Sequence, residues 1–355
     1  MRHNASHLST KKIATAVTLI GFSSFCLSAP QISKVDGTLQ NGATITISGA
    51  RFGNIEEQLR KVWDNVDNTA EYATLGSGEE APTNQGPWTQ NGNPWSNPVT
   101  IYRGSDQRHQ YSKANYHIRT KGYLGWPRAF DGNANRKLYV SWWFKPNVSP
   151  DAQGGHNKFI RIWDDPSGNY TRISWTQVML GAYQDQSGEI QSDWGGWKGD
   201  VAQWNRHEIY VDSENQSIQT WVNGQLTHSV KNFYKQNSSA GLTIGLVGFD
   251  PNRSENYGSF ESKMDDIYAS SVPARVELST SATWSGAGSK KELQPFEKWT
   301  DSSIDVNVNL GQFKSSDKLY VYVIDPNGLV NQNGVDVTGA SCEKCPRSPN
   351  SLEIK

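Results

Sequence analysis

The amino-acid sequence predicts an all-β protein built of antiparallel sandwiches, and three observations carry that expectation. Short runs alternate apolar and polar residues, as in ATITISG, KLYVSWWFKP, RHEIYVD and SIDVNVNL, which is the pattern of strands with one buried face. Gly, Asn, Asp and Ser separate these runs, as in DSENQS and VNGQ, and these residues supply turn chemistry. Helical periodicity is nearly missing: only NIEEQLRKVWDNV, residues 54–66, hints at a helical turn.

The 355-residue chain is long enough for about two domains. It opens on a leader. MRHNASHLSTKK is polar and basic, IATAVTLIGF is apolar, and SSFCLSA offers small residues for cleavage after Ala29 or Ser28. Residues 1–29 therefore read as a signal peptide, too short for a membrane span, and the protein is expected to be exported. Cys26 is no convincing lipid-attachment site, because Phe25 precedes it. Loss of this leader, which holds three basic residues and no acidic one, leaves 31 basic against 35 acidic residues and a formal charge of −4. That balance does not suggest a nucleic-acid partner, and no later segment is long and apolar enough to cross a bilayer. Among the cysteines only Cys342 and Cys345 then remain, in SCEKCP, where a local disulfide is expected of an exported chain. A zinc site would need a second ligand pair.

Further along, residues 76–99 are rich in Gly, Pro and Asn and read as a long surface loop carrying Trp88 and Trp95. Strands follow in KLYVSWWFKP, NKFIRIW, RISWTQVMLGAY, RHEIYVD, SIQTWVNGQLTHSV, GLTIGLVGF, SKMDDIYAS, SIDVNVNL and KLYVYVID. Residues 339–355 read as a tail.

The stretch WNRHEIYVDSENQSIQTWVNGQLTHSV, followed by GLTIGLVGFD and SKMDDIYAS, resembles the strand order of the concanavalin A-like lectin/glucanase (laminin G-like) superfamily. This resemblance covers about residues 62–271 and implies an antiparallel jelly-roll sandwich. The flanks resemble a second fold. ISKVDGTLQNGATITISGARFG is similar to the first two strands of an immunoglobulin-like IPT/TIG domain, and residues 272–338 resemble its remainder. Two strands alone cannot bury a core. The resemblance thus implies a small Ig-like sandwich of residues 31–55 and 272–338 with the jelly roll inserted in it. The alternative is an N-terminal hairpin added to the jelly roll, with a separate C-terminal domain.

The run SWWFKPNVSP poses the functional question. Leu138, Val140, Trp142 and Phe144 share one face of a strand, and Tyr139, Ser141, Trp143 and Lys145 the other. The apolar set belongs between sheets. If NKFIRIW is the neighbouring strand, Trp143, Lys145, Arg161 and Trp163 line one open face. Aromatic rings stack on sugar C–H faces and Arg grips a carboxylate or sulfate, so this face is the expected site for a polysaccharide. Trp194 and Trp197, among the glycines of SDWGGWKGD, are further ligand candidates, either a binding-loop tip or a plug over a sheet edge. His207 and His228 are expected in solvent.

An enzyme is a second reading. The superfamily's retaining glycosidases need two carboxylates about 5 Å apart, commonly from Glu-x-Asp-x-x-Glu. Neither EIQSDW, with Glu189 and Asp193, nor ESKMDD supplies that motif. Its polysaccharide lyases need an acid, a base and a carboxylate neutraliser. His156, Arg161, Gln177 and Tyr183 are the candidates, Gln177 and Tyr183 sharing a face if their strand is regular. A non-catalytic structural or adhesive surface module is a third reading. No cofactor is required by any of them. The resemblance also implies a structural calcium, held by Asp64, Asp67 and Asp265 from WDNVDN and MDDIYAS.

Overall fold

The computed structural model describes residues 28–338 except 56–58, 93, 166–169, 184–189 and 237–238. Most of the leader, the pair Cys342 and Cys345, and Glu189 lie outside the described residues. None of the described helices is long and apolar enough to cross a membrane.

Two large antiparallel sheets face each other as a jelly-roll-type sandwich. The seven-stranded sheet runs, in spatial order, Ile190–Trp194, Met179–Tyr183, Arg172–Thr176, Lys158–Trp163, Thr243–Asp250, Gly122–Pro127 and Trp88–Asn91. The eight-stranded sheet runs Gln225–Lys231, Ser217–Val222, Asn205–Asp212, Lys137–Pro146, Glu261–Ser270, Asn115–Arg119 and Thr100–Tyr102, with Lys61–Asp64 also paired to Glu261–Ser270. Alternation places Trp142 and Phe144 of one sheet against Phe159 and Trp175 of the other, all at 1% exposure or less. Truncating any one of these rings would cost about 3–5 kcal/mol.

Two four-stranded sheets form a second sandwich. One is ordered Gln31–Asp36, Thr44–Ala50, Ser303–Asn307, Phe296–Trp299, and the other Lys291–Gln294, Arg275–Ser279, Tyr320–Ile324, Val335–Asp336. Ile47 pairs with Ile304, so chain segments on either side of the large sandwich share one sheet. The core between the two small sheets holds Ile45, Ile47, Val276, Leu278, Ile304, Val306, Val321 and Val323. Tyr139 and Tyr268, on the outer face of the eight-stranded sheet, are buried against this second core. The small sandwich therefore covers part of that face.

Four local expectations are corrected. Residues 61–64 form a strand rather than part of a helical turn, because Lys61–Asp64 bonds to Ser270–Ile267 and buries Val62 and Asp64. The 76–99 segment contains the strand Trp88–Asn91, and Trp88 is fully buried with its indole N–H on Asp64 at 2.7 Å. RISWTQVMLGAY is two strands: the Thr176 hydroxyl accepts the N–H groups of Val178 and Met179 and closes a tight turn. Finally, Lys137–Pro146 and Lys158–Trp163 lie in different sheets, with the core between them.

Candidate functional site

That last placement dissolves the predicted trough of Trp143, Lys145, Arg161 and Trp163. Trp143 and Lys145 belong to the outer face of the eight-stranded sheet. Trp143 is 7% exposed and lies under the Arg108 guanidinium at 4.8 Å. Lys145 pairs with Asp106 at 2.7 Å. Arg161 and Trp163 remain on an open face, the outer face of the seven-stranded sheet.

Register builds that face. Thr243, Trp163, Arg172, Tyr183 and Ile190 align across five strands. Leu246, Arg161, Ser174, Gly181 and Ser192 form the next row. With strands about 4.8 Å apart, each row extends about 19 Å. In the first row the Arg172 guanidinium lies 4.7 Å from the Tyr183 ring centre, and Trp126 leans on Trp163 with ring centres 5.8 Å apart. The Trp163 indole lies over Gly245, where an added Cβ would stand 2.8 Å from a ring carbon. Trp126 adopts φ 52°, an uncommon conformation for a bulky side chain that turns up where surrounding structure enforces it.

Beside this row Gln90, Trp95, Tyr123, Arg161, Trp163 and Asp250 wall a cleft of about 80 Å³. Three buried polar atoms on residues that line it have no hydrogen-bond partner among the described residues: Tyr123 Oη, Arg161 Nε and Trp163 Nε1. Buried polar atoms are nearly always paired, so three unpaired donors on the residues lining one cleft set it apart. Burial lowers the Arg161 pKa, with Asp250 opposing, yet guanidinium stays protonated. Burial and then Asp250 raise the Tyr123 pKa, so its hydroxyl is a donor at neutral pH. Lys158, whose pKa is lowered mainly by burial, sits 3.8 Å from Asp250 at the cleft's edge. The face thus offers flat rings, fixed cations and hydroxyl or indole donors.

The remaining predicted residues do not join Arg161 there. Gln177 is fully buried and staples the preceding loop, accepting from Asn157 N at 2.7 Å and donating to Gly155 O at 2.7 Å. The turn at Thr176 ends the regular strand, so parity no longer relates Gln177 to Tyr183. His156 is exposed and its ring meets Trp194, 63% exposed, at 5.6 Å. Trp197 is a plug: its indole N–H donates to His207 Nε2 at 2.9 Å. His207 and His228 are at most 1% exposed, not in solvent, and His207 stacks on Trp142 within the aromatic core.

Tyr123, Trp126, Arg172 and Asp250 were missed by sequence reasoning. GYLGWP holds both aromatics of the first pair beside glycines, but Tyr123 and Trp126 differ in strand parity and Trp126 has a positive φ, so alternation alone does not place them together.

The expected calcium ligands also separate. Asp64 is fully buried and accepts from Trp88 Nε1 at 2.7 Å, Tyr116 Oη at 2.6 Å and Val66 N at 2.9 Å. Asp67 accepts from Lys113 N at 2.7 Å. Asp265 accepts from Ser112 Oγ at 3.1 Å. Among the described residues the converging set is His109, Asp265 and Asp266, with ligand atoms within 4.8 Å of one another. It fits a divalent ion poorly, because the Arg108 guanidinium already bonds Asp266 and Glu292 there and supplies the positive charge.

No protein-family model and no curated protein sequence matches the chain. Solved structures similar to it include domain 4 of AbnA, a GH43 extracellular arabinanase from Geobacillus stearothermophilus, in complex with arabinotriose. That domain is 18% identical, the match covers 60% of this chain and 91% of that one, and the TM-score is 0.36. The cellulose induced protein Cip1 is 16% identical over 52% and 91%, with a TM-score of 0.38. The endo-beta-1,4-glucuronan lyase from the fungus Trichoderma reesei is 14% identical over 56% and 94%, with a TM-score of 0.37. At such scores these likenesses carry no assignment of ligand or activity.

Proposed function

We propose that the outer face of the seven-stranded sheet binds a polysaccharide that carries carboxylate or sulfate groups. The observation that supports this most is the shared cleft of Arg161 and Trp163, where a cationic fork and a flat ring stand together with donors unpaired. Indole faces take sugar C–H groups, and the guanidinium takes an oxyanion in bidentate fashion. Retention on affinity gels tests the reading. The intact chain should be retarded by alginate, glucuronan or a glycosaminoglycan and Trp163→Ala should run freely. Mobility unchanged by every acidic glycan would end it.

β-Elimination on a polyuronate is a second reading, favoured by Tyr123 standing beside Arg161 in the cleft. The protonated tyrosine hydroxyl would give its proton to the departing glycosidic oxygen as the C4–O bond breaks, the guanidinium would neutralise the uronate carboxylate, and water or hydroxide would take the C5 proton. Its test is ultraviolet absorbance from an unsaturated uronate, lost in Tyr123→Phe. No absorbance on any polyuronate leaves recognition without catalysis. Export by the leader, and an IPT/TIG-like character of the small sandwich with the jelly roll inserted in it, belong to the same proposal.

A further inference from the structure

We infer a second ligand site, in the seam between the two sandwiches, that takes a small carboxylate-bearing sugar. A cavity of about 440 Å³ lies there, within the roughly 300–1,000 Å³ of small-molecule pockets. The outer face of the eight-stranded sheet contributes Glu208, Tyr210 and Trp221. The small sandwich contributes Arg275, Trp284 and Lys291.

Charge decides what the seam accepts. Arg206 grips Glu277 with two bonds of 2.6 and 2.7 Å. Arg275 Nε adds a third at 2.9 Å. Glu208 takes the Tyr139 hydroxyl at 2.7 Å and faces Lys291 Nζ at 3.6 Å, beyond hydrogen-bond length. Three cations thus surround two carboxylates, and one positive charge is left over. The surplus falls on Lys291, whose side chain is 8% exposed. Its Nζ makes no hydrogen bond among the described residues and stands 4.5 Å from the Trp284 ring centre. Burying a cation without full pairing is unfavourable, and an anion in the seam corrects it. Trp221, Trp284 and Tyr210 add flat apolar walls of the kind that sugar rings stack on.

The seam is also preformed. Gly224, at the hairpin tip between Ser217–Val222 and Gln225–Lys231, abuts Gly288 of the small sandwich. A Cβ on Gly224 would come 2.6 Å from the Gly288 carbonyl oxygen. The hairpin therefore closes one end of the cavity by backbone contact.

This site is independent of the sheet-face reading, and the test separates them. The probes are digalacturonate and, as the neutral counterpart, cellobiose, titrated calorimetrically into the intact chain carrying Arg161→Ala and Trp163→Ala, which disables the sheet face. Digalacturonate should still bind at one site and quench tryptophan fluorescence, with cellobiose at least tenfold weaker. Adding Lys291→Met should weaken digalacturonate at least tenfold, and Lys291→Arg should restore it. Trp221→Ala, at a half-buried position, should also weaken it, which covers the case that Lys291→Met fails to fold. Absence of binding in the disabled-face background, equal affinity for cellobiose, or indifference to both Lys291→Met and Trp221→Ala would overturn the seam site. A wild-type isotherm with only the Lys291-dependent site would overturn the sheet face instead.

Discussion

Trp163 lies flat over Gly245, and there is no room between them: a Cβ at residue 245 would stand 2.8 Å from the indole. The glycine sets the height of the ring above the sheet. Gly245→Ala should therefore lift the indole and loosen its contact with Trp126. Overpacking of this kind costs about 1–3 kcal/mol. Glycan affinity should fall about tenfold, equivalent to about 1.4 kcal/mol. Titration with an acidic oligosaccharide, alongside a melting curve, checks it. Affinity equal to wild type would mean that the ring's height does not matter.

Trp143→Ala should behave in the opposite way. The ring is buried beneath Arg108, so its loss should destabilise the fold by about 3–5 kcal/mol and leave glycan binding by the folded fraction unchanged. Denaturant unfolding and an affinity gel read the two effects separately.

Acid should weaken the fold through His207. Burial holds its pKa at about 3, against an ordinary value of 6.5, so the folded chain keeps the imidazole neutral, as an acceptor for Trp197. Between these values the unfolded chain binds the extra proton, and stability falls as pH drops below about 6.5. The slope is at most about 1.4 kcal/mol per pH unit for this group. Melting temperatures from pH 7 to pH 4 should show a shallower fall in His207→Gln, which keeps an acceptor and cannot charge.

Glu277→Gln should be costly. Its carboxylate is fully buried and answers both Arg206 and Arg275, and removing one partner of a buried ion pair costs about 3–5 kcal/mol. Urea titration should show a lower midpoint. A midpoint unchanged from wild type would mean that the seam holds without this pair.

Much of the fold was legible because strand periodicity is a local signal. The inward set Leu138, Val140, Trp142 and Phe144 follows from alternation alone, and all four are fully buried. Periodicity does not say which sheet a strand joins. Trp143 and Arg161 both point away from the core, yet the core separates them, because the chain crosses between sheets in the Pro150–Asn157 connection. That connection is held by Gln177 and Tyr257, the Tyr257 hydroxyl donating to Pro150 O at 2.9 Å. Such contacts come from far along the chain and leave no local mark. The same holds for His207, whose polar ring reads as surface until Trp142 and Trp197 are brought to either side of it. The site residues Tyr123 and Asp250 become neighbours of Arg161 only through the pairing of three strands.

The most direct test of the sheet-face account is calorimetric titration of the intact chain with an acidic oligosaccharide, wild type against Arg161→Ala. Arg161 carries no ion pair among the described residues, so the variant should melt like wild type and bind at least tenfold more weakly, with a neutral oligosaccharide indifferent to the change. An affinity for the acidic ligand that survives Arg161→Ala intact would contradict the account.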